Sequence, residues 1–207
     1  MAYGCSFTYG HGLPDCHVHP NLPGSLPSKM SWPNLVAEKL NRECVNLSSP
    51  GIGNLAILMK VLSTEFQSDD LVIIGFSFFP RYGCYRFLDR LGNAELIHKN
   101  TEAHRQLVLA EVGIKNPEHR EYWYNWLTIH HIESYLKAKN IKHYYYLGAD
   151  KWASYQQKPD LLKLENYWPD VKLIMEDQAL DGKHPGVESH KLQAELIYSK
   201  IREYELR

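Results

Sequence analysis

Apolar residues recur along the chain in two patterns, which predict strands and helices respectively. Residues 71–76 form a continuous apolar run between polar flanks, which is typical of a strand buried on both faces of a parallel sheet. Residues 54–66, 117–139 and 186–205 instead carry apolar side chains at the spacing of an amphipathic helix. The chain therefore predicts both kinds of element.

The remaining predicted elements give an alternating series. Short strands are predicted before Ser6 and at residues 45–47, 141–147 and 171–175, and helices are predicted from Ser31-Trp32-Pro33, over 101–113 and, from a weaker pattern, over 158–165. Alternating strands and helices are typical of an α/β sandwich with a mostly parallel sheet. Residues 11–31, rich in proline and glycine, are predicted to form a loop that is long for a compact domain.

Composition and charge narrow the class of protein. The chain has 207 residues, 44% hydrophobic and 23% charged, with a net charge of -1, and these values exclude a wholly disordered chain. We expect a single domain over residues 1–207, with no nucleic-acid partner. No window reaches the ~18 apolar residues of a membrane span, and no signal peptide is visible, so we expect a cytoplasmic protein. The four cysteines show no CxxC spacing, and we expect most to be reduced.

The loops that follow the strands are where chemistry is expected, because ligands of parallel sheets bind at the carboxyl ends of strands. Ser6 follows the first predicted strand between two glycines, and such a serine is a nucleophile when a base takes its proton. Asp181 and His184 precede the last helix, where His can act as a base that Asp orients. Each segment taken alone also fits an ordinary polar turn.

Together these segments resemble the motifs of the SGNH hydrolases, also called GDSL-type esterases and lipases. The first block, Gly-Asp-Ser-x-Thr-x-Gly, is matched by Gly4-Cys5-Ser6-Phe7-Thr8-Tyr9-Gly10, with Cys5 in place of Asp. The second block is matched by residues 46–51, with Gly51 at the oxyanion-hole glycine, and the last by Asp181 and His184. In the third block, Gly-x-Asn-Asp, this chain has Ser77 where the family has Asn.

The resemblance implies a flavodoxin-like, three-layer α/β/α sandwich with a mostly parallel five-stranded sheet. It also implies hydrolysis of carboxylic esters, acetyl esters on carbohydrate among them, through an acyl-enzyme. Ser6 would be the nucleophile, His184 its base and Asp181 the residue that orients the base. The backbone amides of Ser6 and Gly51, with Ser77 or Asn54, would form the oxyanion hole; Asn54 is equally suited to cap a helix.

The same resemblance implies no metal and no organic cofactor, and a small-molecule or carbohydrate ester as the partner. The sequence does not determine the oligomeric state. The serine in the third block favours an alternative, a catalytically weak or inactive protein that keeps the fold to bind carbohydrate or another ligand. A third interpretation is a cysteine- or metal-dependent enzyme that uses Asp15-Cys16-His17-Val18-His19, although no second cluster completes four zinc ligands there.

Overall fold

The structure is a computed structural model that describes residues 1–19, 21–78, 84–87, 94–97, 117–148 and 164–206. In chain order its strands are β1 (Ala2–Gly4), β2 (His17–Val18), β3 (Leu22–Pro23), β4 (Leu71–Phe76), β5 (Cys84–Phe87), β6 (Ala94–Ile97) and β7 (Lys142–Leu147). Its helices are α1 (Ser6–Tyr9), α2 (Trp32–Lys39), α3 (Asn54–Leu62), α4 (Pro117–Ala138) and α5 (Val187–Glu205).

Four predicted helices are confirmed close to their predicted bounds. Helix α2 begins after its N-cap Ser31 and has Pro33 in its first turn, where a missing amide hydrogen costs nothing. Helix α3 ends at Leu62 rather than at residue 66. The helix predicted over 101–113 and most of the one over 158–165 lie outside the described residues.

The central sheet has three parallel strands in the order β1-β4-β7. Ala2 lies opposite Ile73 and Gly4 opposite Gly75, and Gly75 in turn lies opposite Tyr146. The two-stranded pairs β2-β3 and β5-β6 are antiparallel hairpins outside this sheet.

The described part of the chain does not contain the five full strands that were predicted. The sheet has three strands, and each of its edges is extended only by a single parallel bridge. Asn46 bridges to Ala2 beside β1, and Tyr167 bridges to Tyr145 beside β7. The strand predicted over 171–175 is wrong. There the amide of Ile174 donates instead to the side chain of Gln193 on α5, at 2.9 Å, so this segment pairs with a helix rather than with the sheet.

The two faces of the sheet are covered by different helix pairs, as side-chain alternation along a strand requires. One face carries Tyr3, Val72, Ile74, Phe76 and Tyr145, packed with residues of α3 and α4. The other carries Ala2, Leu71, Ile73, Tyr144 and Tyr146, packed with residues of α2 and α5. The described residues therefore form three layers, helices, sheet and helices, and the three tyrosines of β7 belong to the core.

A buried carboxylate joins α4 to the sheet edge beside β7. Glu133, 2% exposed, accepts hydrogen bonds from the hydroxyl of Tyr145 at 3.0 Å and from the amide of Glu165 at 2.8 Å. Lys137 lies 3.4 Å from the same carboxylate. These contacts fix the segment that carries Tyr167 against β7.

No helix in the described ranges is long and apolar enough to cross a membrane.

We expect Glu133→Ala to lower the free energy of unfolding by about 2–4 kcal/mol, because it leaves buried donors without an acceptor. The matched control is Glu165→Ala, since Glu165 also pairs with Lys137, at 2.9 Å, but its side chain is 74% exposed. Exposed pairs contribute at most about 1 kcal/mol. Urea denaturation followed by tryptophan fluorescence measures both losses, and equal losses would contradict the role given to Glu133.

Candidate active site

We number four loops in chain order: the first comprises residues 4–12, the second residues 48–54, the third residues 77–78, which follow β4, and the fourth residues 176–186. The first loop begins at a close approach between two strands and a helix. A side chain on Gly4 would clash with the hydroxyl of Thr8 and would lie 2.8 Å from the carbonyl oxygen of Gly75. Thr8 thus sits over the ends of β1 and β4, and this contact sets the direction of α1. Ser6 is the first residue of α1, and the buried Cys5 is its N-cap.

The second loop is tied to the end of β1 and to α3. The amide of Ser49 donates to the carbonyl oxygen of Gly4 at 3.1 Å. The ammonium of Lys60 on α3 donates to the carbonyl oxygen of Leu47 at 2.8 Å and to the hydroxyl of Ser49 at 2.6 Å. Gly51 follows with φ +78° and has open space where a side chain would point.

The third loop is bound to the start of α3 by a reciprocal pair of hydrogen bonds. The amide of Ser77 donates to Asn54 Oδ1 at 2.8 Å, and Asn54 Nδ2 donates to the carbonyl oxygen of Ser77 at 3.1 Å. Asn54 Nδ2 also donates to Asn125 Oδ1 on α4, at 2.7 Å.

Asn54 therefore has a different local role from the helix cap considered above. The N-cap of α3 is Gly53, and the side chain of Asn54 holds the Ser77 backbone instead. Both amide hydrogens of Asn54 are already donated, so a direct bond to an oxyanion would require one of these bonds to break.

The fourth loop places the candidate base and acid in direct contact. His184 Nδ1 lies 2.5 Å from Asp181 Oδ2, and the amides of Lys183 and His184 donate to Asp181 Oδ1 at 3.0 and 3.1 Å. Burial of the Asp181 carboxyl opposes its ionisation, but these hydrogen bonds outweigh that effect and lower its pKa to about 2. Asp181 is thus ionised at neutral pH and can hold the Nδ1 hydrogen of His184.

The fourth loop packs directly on the first. The ring of His184 contacts the ring of Phe7 edge-on, with centroids 5.3 Å apart, and stacks on the ring of His11 at 4.4 Å. The amide of Leu180 donates to the carbonyl oxygen of Gly12 at 3.0 Å. Burial and the neighbouring His184 lower the pKa of His11.

The candidate nucleophile is less exposed than the sequence suggests. Ser6 is 3% exposed, and the fourth loop packs next to it against Phe7 and His11. Within the described residues no hydrogen bond joins Ser6 Oγ to His184. Catalytic hydrogen bonds are often long in an unliganded enzyme and shorten only in the complex with substrate.

The four loops thus meet at one end of the sheet, as the topology predicts. The described contacts link the first loop to the second through Gly4, the second to the third through Asn54, and the first to the fourth through Phe7 and His11. The arrangement brings Ser6, the Asp181–His184 pair and the turn at Gly51 to the same end of the sheet. Such groups are suited to acyl transfer.

The predicted cluster at residues 15–19 serves mainly to hold its own loop. Asp15 accepts hydrogen bonds from the hydroxyl of Ser28 and from the amide of Lys29, the latter at 2.8 Å. Cys16 is buried, and its thiol donates to the carbonyl oxygen of Leu26 at 3.4 Å. The carboxylate and the thiol of this cluster therefore already have hydrogen-bond partners within their own loop.

Three residues that contact or support this site were not identified from the sequence: His11, Lys60 and Asn125. Lys60 and Asn125 lie on helices whose apolar pattern gives no sign of the loops that they contact. His11 lies one position beyond the first motif, and its contact with His184 joins residues at opposite ends of the chain. The sequence contains no local signal for that pair.

Solved structures with the same fold include carbohydrate esterases and a lipase. An acetyl xylan esterase, Est2A, from the rumen bacterium Butyrivibrio proteoclasticus has a TM-score of 0.60 at 15% identity over 98% of this chain. A family two carbohydrate esterase from Clostridium thermocellum, in complex with cellohexaose, has a TM-score of 0.58 at 14% identity over 98%. The lipase Lip_vut3 from a goat rumen metagenome has a TM-score of 0.55 at 12% identity over 96%.

The chain spans 63% of the length of each of those esterases and 94% of the lipase. No protein-family model and no curated protein matches it. The chain nevertheless has an SGNH hydrolase-type fold, which confirms the family resemblance at the level of the fold.

The N-terminus of α5 anchors the loop that carries His184. The carboxylate of Asp177 accepts hydrogen bonds from the amides of Glu188 and Ser189, at 3.1 and 2.7 Å. Directly after Ser189, His190 Nδ1 accepts a hydrogen bond from the amide of Trp32 at 3.1 Å. Burial lowers the pKa of His190 to about 4, with a smaller opposing effect of Asp177.

His190 makes a testable contribution to the pH dependence of stability. Its pKa is about 4 when folded, against 6.5 for an ordinary histidine, so between these values the unfolded chain binds a proton that the folded chain does not. Lowering the pH from about 6.5 to 4 should therefore destabilise the fold, through this group alone, by about 3 kcal/mol. His190→Asn, which keeps an acceptor for Trp32, should lose less stability over that range.

Urea denaturation at pH 7 and pH 4 measures the effect, with the exposed His19→Asn as the control. Identical pH dependence in wild type and His190→Asn would show that His190 is not the responsible group.

Proposed function

We propose that this protein is a serine hydrolase that cleaves carboxylic esters through an acyl-enzyme, with acetyl esters on carbohydrate as its first candidate substrate class. The observation that carries the proposal is the Asp181–His184 pair packed against the helix that Ser6 begins. Two solved proteins with this fold support the substrate class: one is an acetyl xylan esterase, and the other is a carbohydrate esterase in complex with cellohexaose.

The proposed reaction uses three side chains. Ser6 Oγ attacks the ester carbonyl carbon while His184 Nε2 takes the hydroxyl proton, and Asp181 holds the Nδ1 hydrogen so that Nε2 faces the serine. The tetrahedral intermediate collapses, and the proton passes from His184 to the departing alcohol. Water then attacks the acyl-enzyme, again with His184 as the base, and releases the acid and the free serine.

In the proposed mechanism, the developing oxyanion accepts hydrogen bonds from the backbone amides of Ser6 and Gly51. The hydroxyl of Ser77 is the third donor. Ser6 is the first residue of α1, and the first amides of a helix have no acceptor within it. The positive φ of Gly51 allows its amide to turn out of the loop. Asn54 acts on this hole through the backbone of Ser77 rather than by a direct bond.

A second candidate function rests on the same third block. Ser77 stands where the family has an asparagine donor, and loss of one oxyanion donor lowers kcat by about 10²–10³. A protein so weakened would use the cleft to bind carbohydrate, with little hydrolysis. The complex of one carbohydrate esterase of this fold with cellohexaose supports that alternative.

The experiment compares hydrolysis of 4-nitrophenyl acetate and acetylated xylan by wild type, Ser6→Ala, His184→Ala and the control His131→Ala. We expect kcat to fall at least about 10³-fold in the first two variants. The exposed His131 lies on α4 outside the triad, so its variant should match wild type. Full activity in Ser6→Ala would contradict the nucleophile. No hydrolysis by folded wild type, together with calorimetric binding of cellohexaose, would favour the second function.

A further inference from the structure

His11 contacts the proposed base but has no part in the proposed reaction. Its ring stacks on that of His184, with centroids 4.4 Å apart and planes inclined by 29°. Its Nε2 atom is buried and has no hydrogen-bond partner among the residues that the structure describes. A buried nitrogen without a partner is costly unless a ligand completes it.

Three metal-binding groups converge at this stack. One ring nitrogen of His11, one ring nitrogen of His184 and one carboxylate oxygen of Asp181 all lie within 4.8 Å of one another. Zn²⁺ binds imidazole nitrogen and carboxylate oxygen at about 2.0–2.2 Å in a tetrahedron, which puts its ligand atoms about 3.3–3.5 Å apart. Stacked imidazoles direct their nitrogen lone pairs along nearly parallel planes, so closing the site requires one ring to turn out of the stack as the ligand atoms move together.

The donor set also matches the chemistry of zinc. Two imidazoles and one carboxylate make three protein ligands, and a water molecule completes four. Softer thiolate donors are absent from this group, and a hard cation such as Mg²⁺ prefers oxygen ligands.

We propose that His11, Asp181 and His184 form a reversible zinc site that inhibits the hydrolase. This regulation rests on the proposed function, because two of the zinc ligands are the proposed base and the acid that orients it. If zinc takes Nε2 of His184, that atom can no longer accept the proton of Ser6. If zinc takes Nδ1, the hydrogen bond from His184 to Asp181 is lost. Either way, zinc binding and activation of Ser6 exclude each other.

The binding half of the proposal is tested without an activity assay. Chelator-treated protein is titrated with Zn²⁺ in competition with a chromophoric chelator, for wild type, His11→Phe, His11→Gln and the control His131→Ala, at an exposed position of α4. Phenylalanine keeps an aromatic ring against His184 but supplies no ligand. We expect one zinc per wild-type chain, at least 10-fold weaker binding in both His11 variants, and wild-type binding in His131→Ala. Circular dichroism confirms that each variant is folded.

The regulatory half is tested by ester hydrolysis with and without Zn²⁺. Wild type should lose activity as zinc is added and regain it with EDTA, whereas His11→Phe should hydrolyse the ester at every zinc concentration that saturates wild type. Unchanged zinc affinity in both His11 variants would overturn the site. Equal inhibition of His11→Phe, or faster hydrolysis with zinc, would overturn its inhibitory role.

These outcomes separate this proposal from the one on which it rests. If zinc-free wild type hydrolyses no ester, the proposed function fails and so does inhibition, while the chelator titration still decides the site. If hydrolysis is present and zinc does not bind, only the zinc proposal fails.

Discussion

The arrangement of the site depends on the close approach of β1, β4 and α1 at the row Gly4, Gly75 and Tyr146. These residues are register partners across the three parallel strands, so the loops after β1 and β4 begin at the same level. Any side chain on Gly4 would occupy the space of Thr8. Because Gly4 and Gly75 have no side chains, Thr8 packs on the ends of β1 and β4. This contact fixes the position of α1, which begins at Ser6.

A large part of the fold follows from local sequence. The apolar run at 71–76 and the aromatic-rich segment at 141–147 predict the two longest strands of the sheet correctly. The first is the continuous apolar sequence of a strand buried on both faces, and the second has three consecutive tyrosines, which favour strands. The helices at α3, α4 and α5 follow from their periodic apolar residues. The Asp181–His184 contact is also local, since the partners are three positions apart along one loop.

The features that local sequence could not predict depend on partners far along the chain. The 171–175 segment has the composition of a strand, but its amide at Ile174 is paired by Gln193 of α5. Leu192 has the spacing of a core residue on α5 yet is 39% exposed, because the buried face of that turn carries His190 and Gln193. Neither polar residue signals burial by its type.

The central claim is that His184 activates Ser6, and the most direct test is covalent labelling by a serine-directed fluorophosphonate. Peptide mass spectrometry locates the adduct in wild type and in His184→Ala, treated in parallel. The account predicts an adduct on Ser6 in wild type that is lost in the variant, because the neutral hydroxyl is a weak nucleophile without its base. A folded wild-type sample without an adduct, or with one on another residue, would contradict the claim.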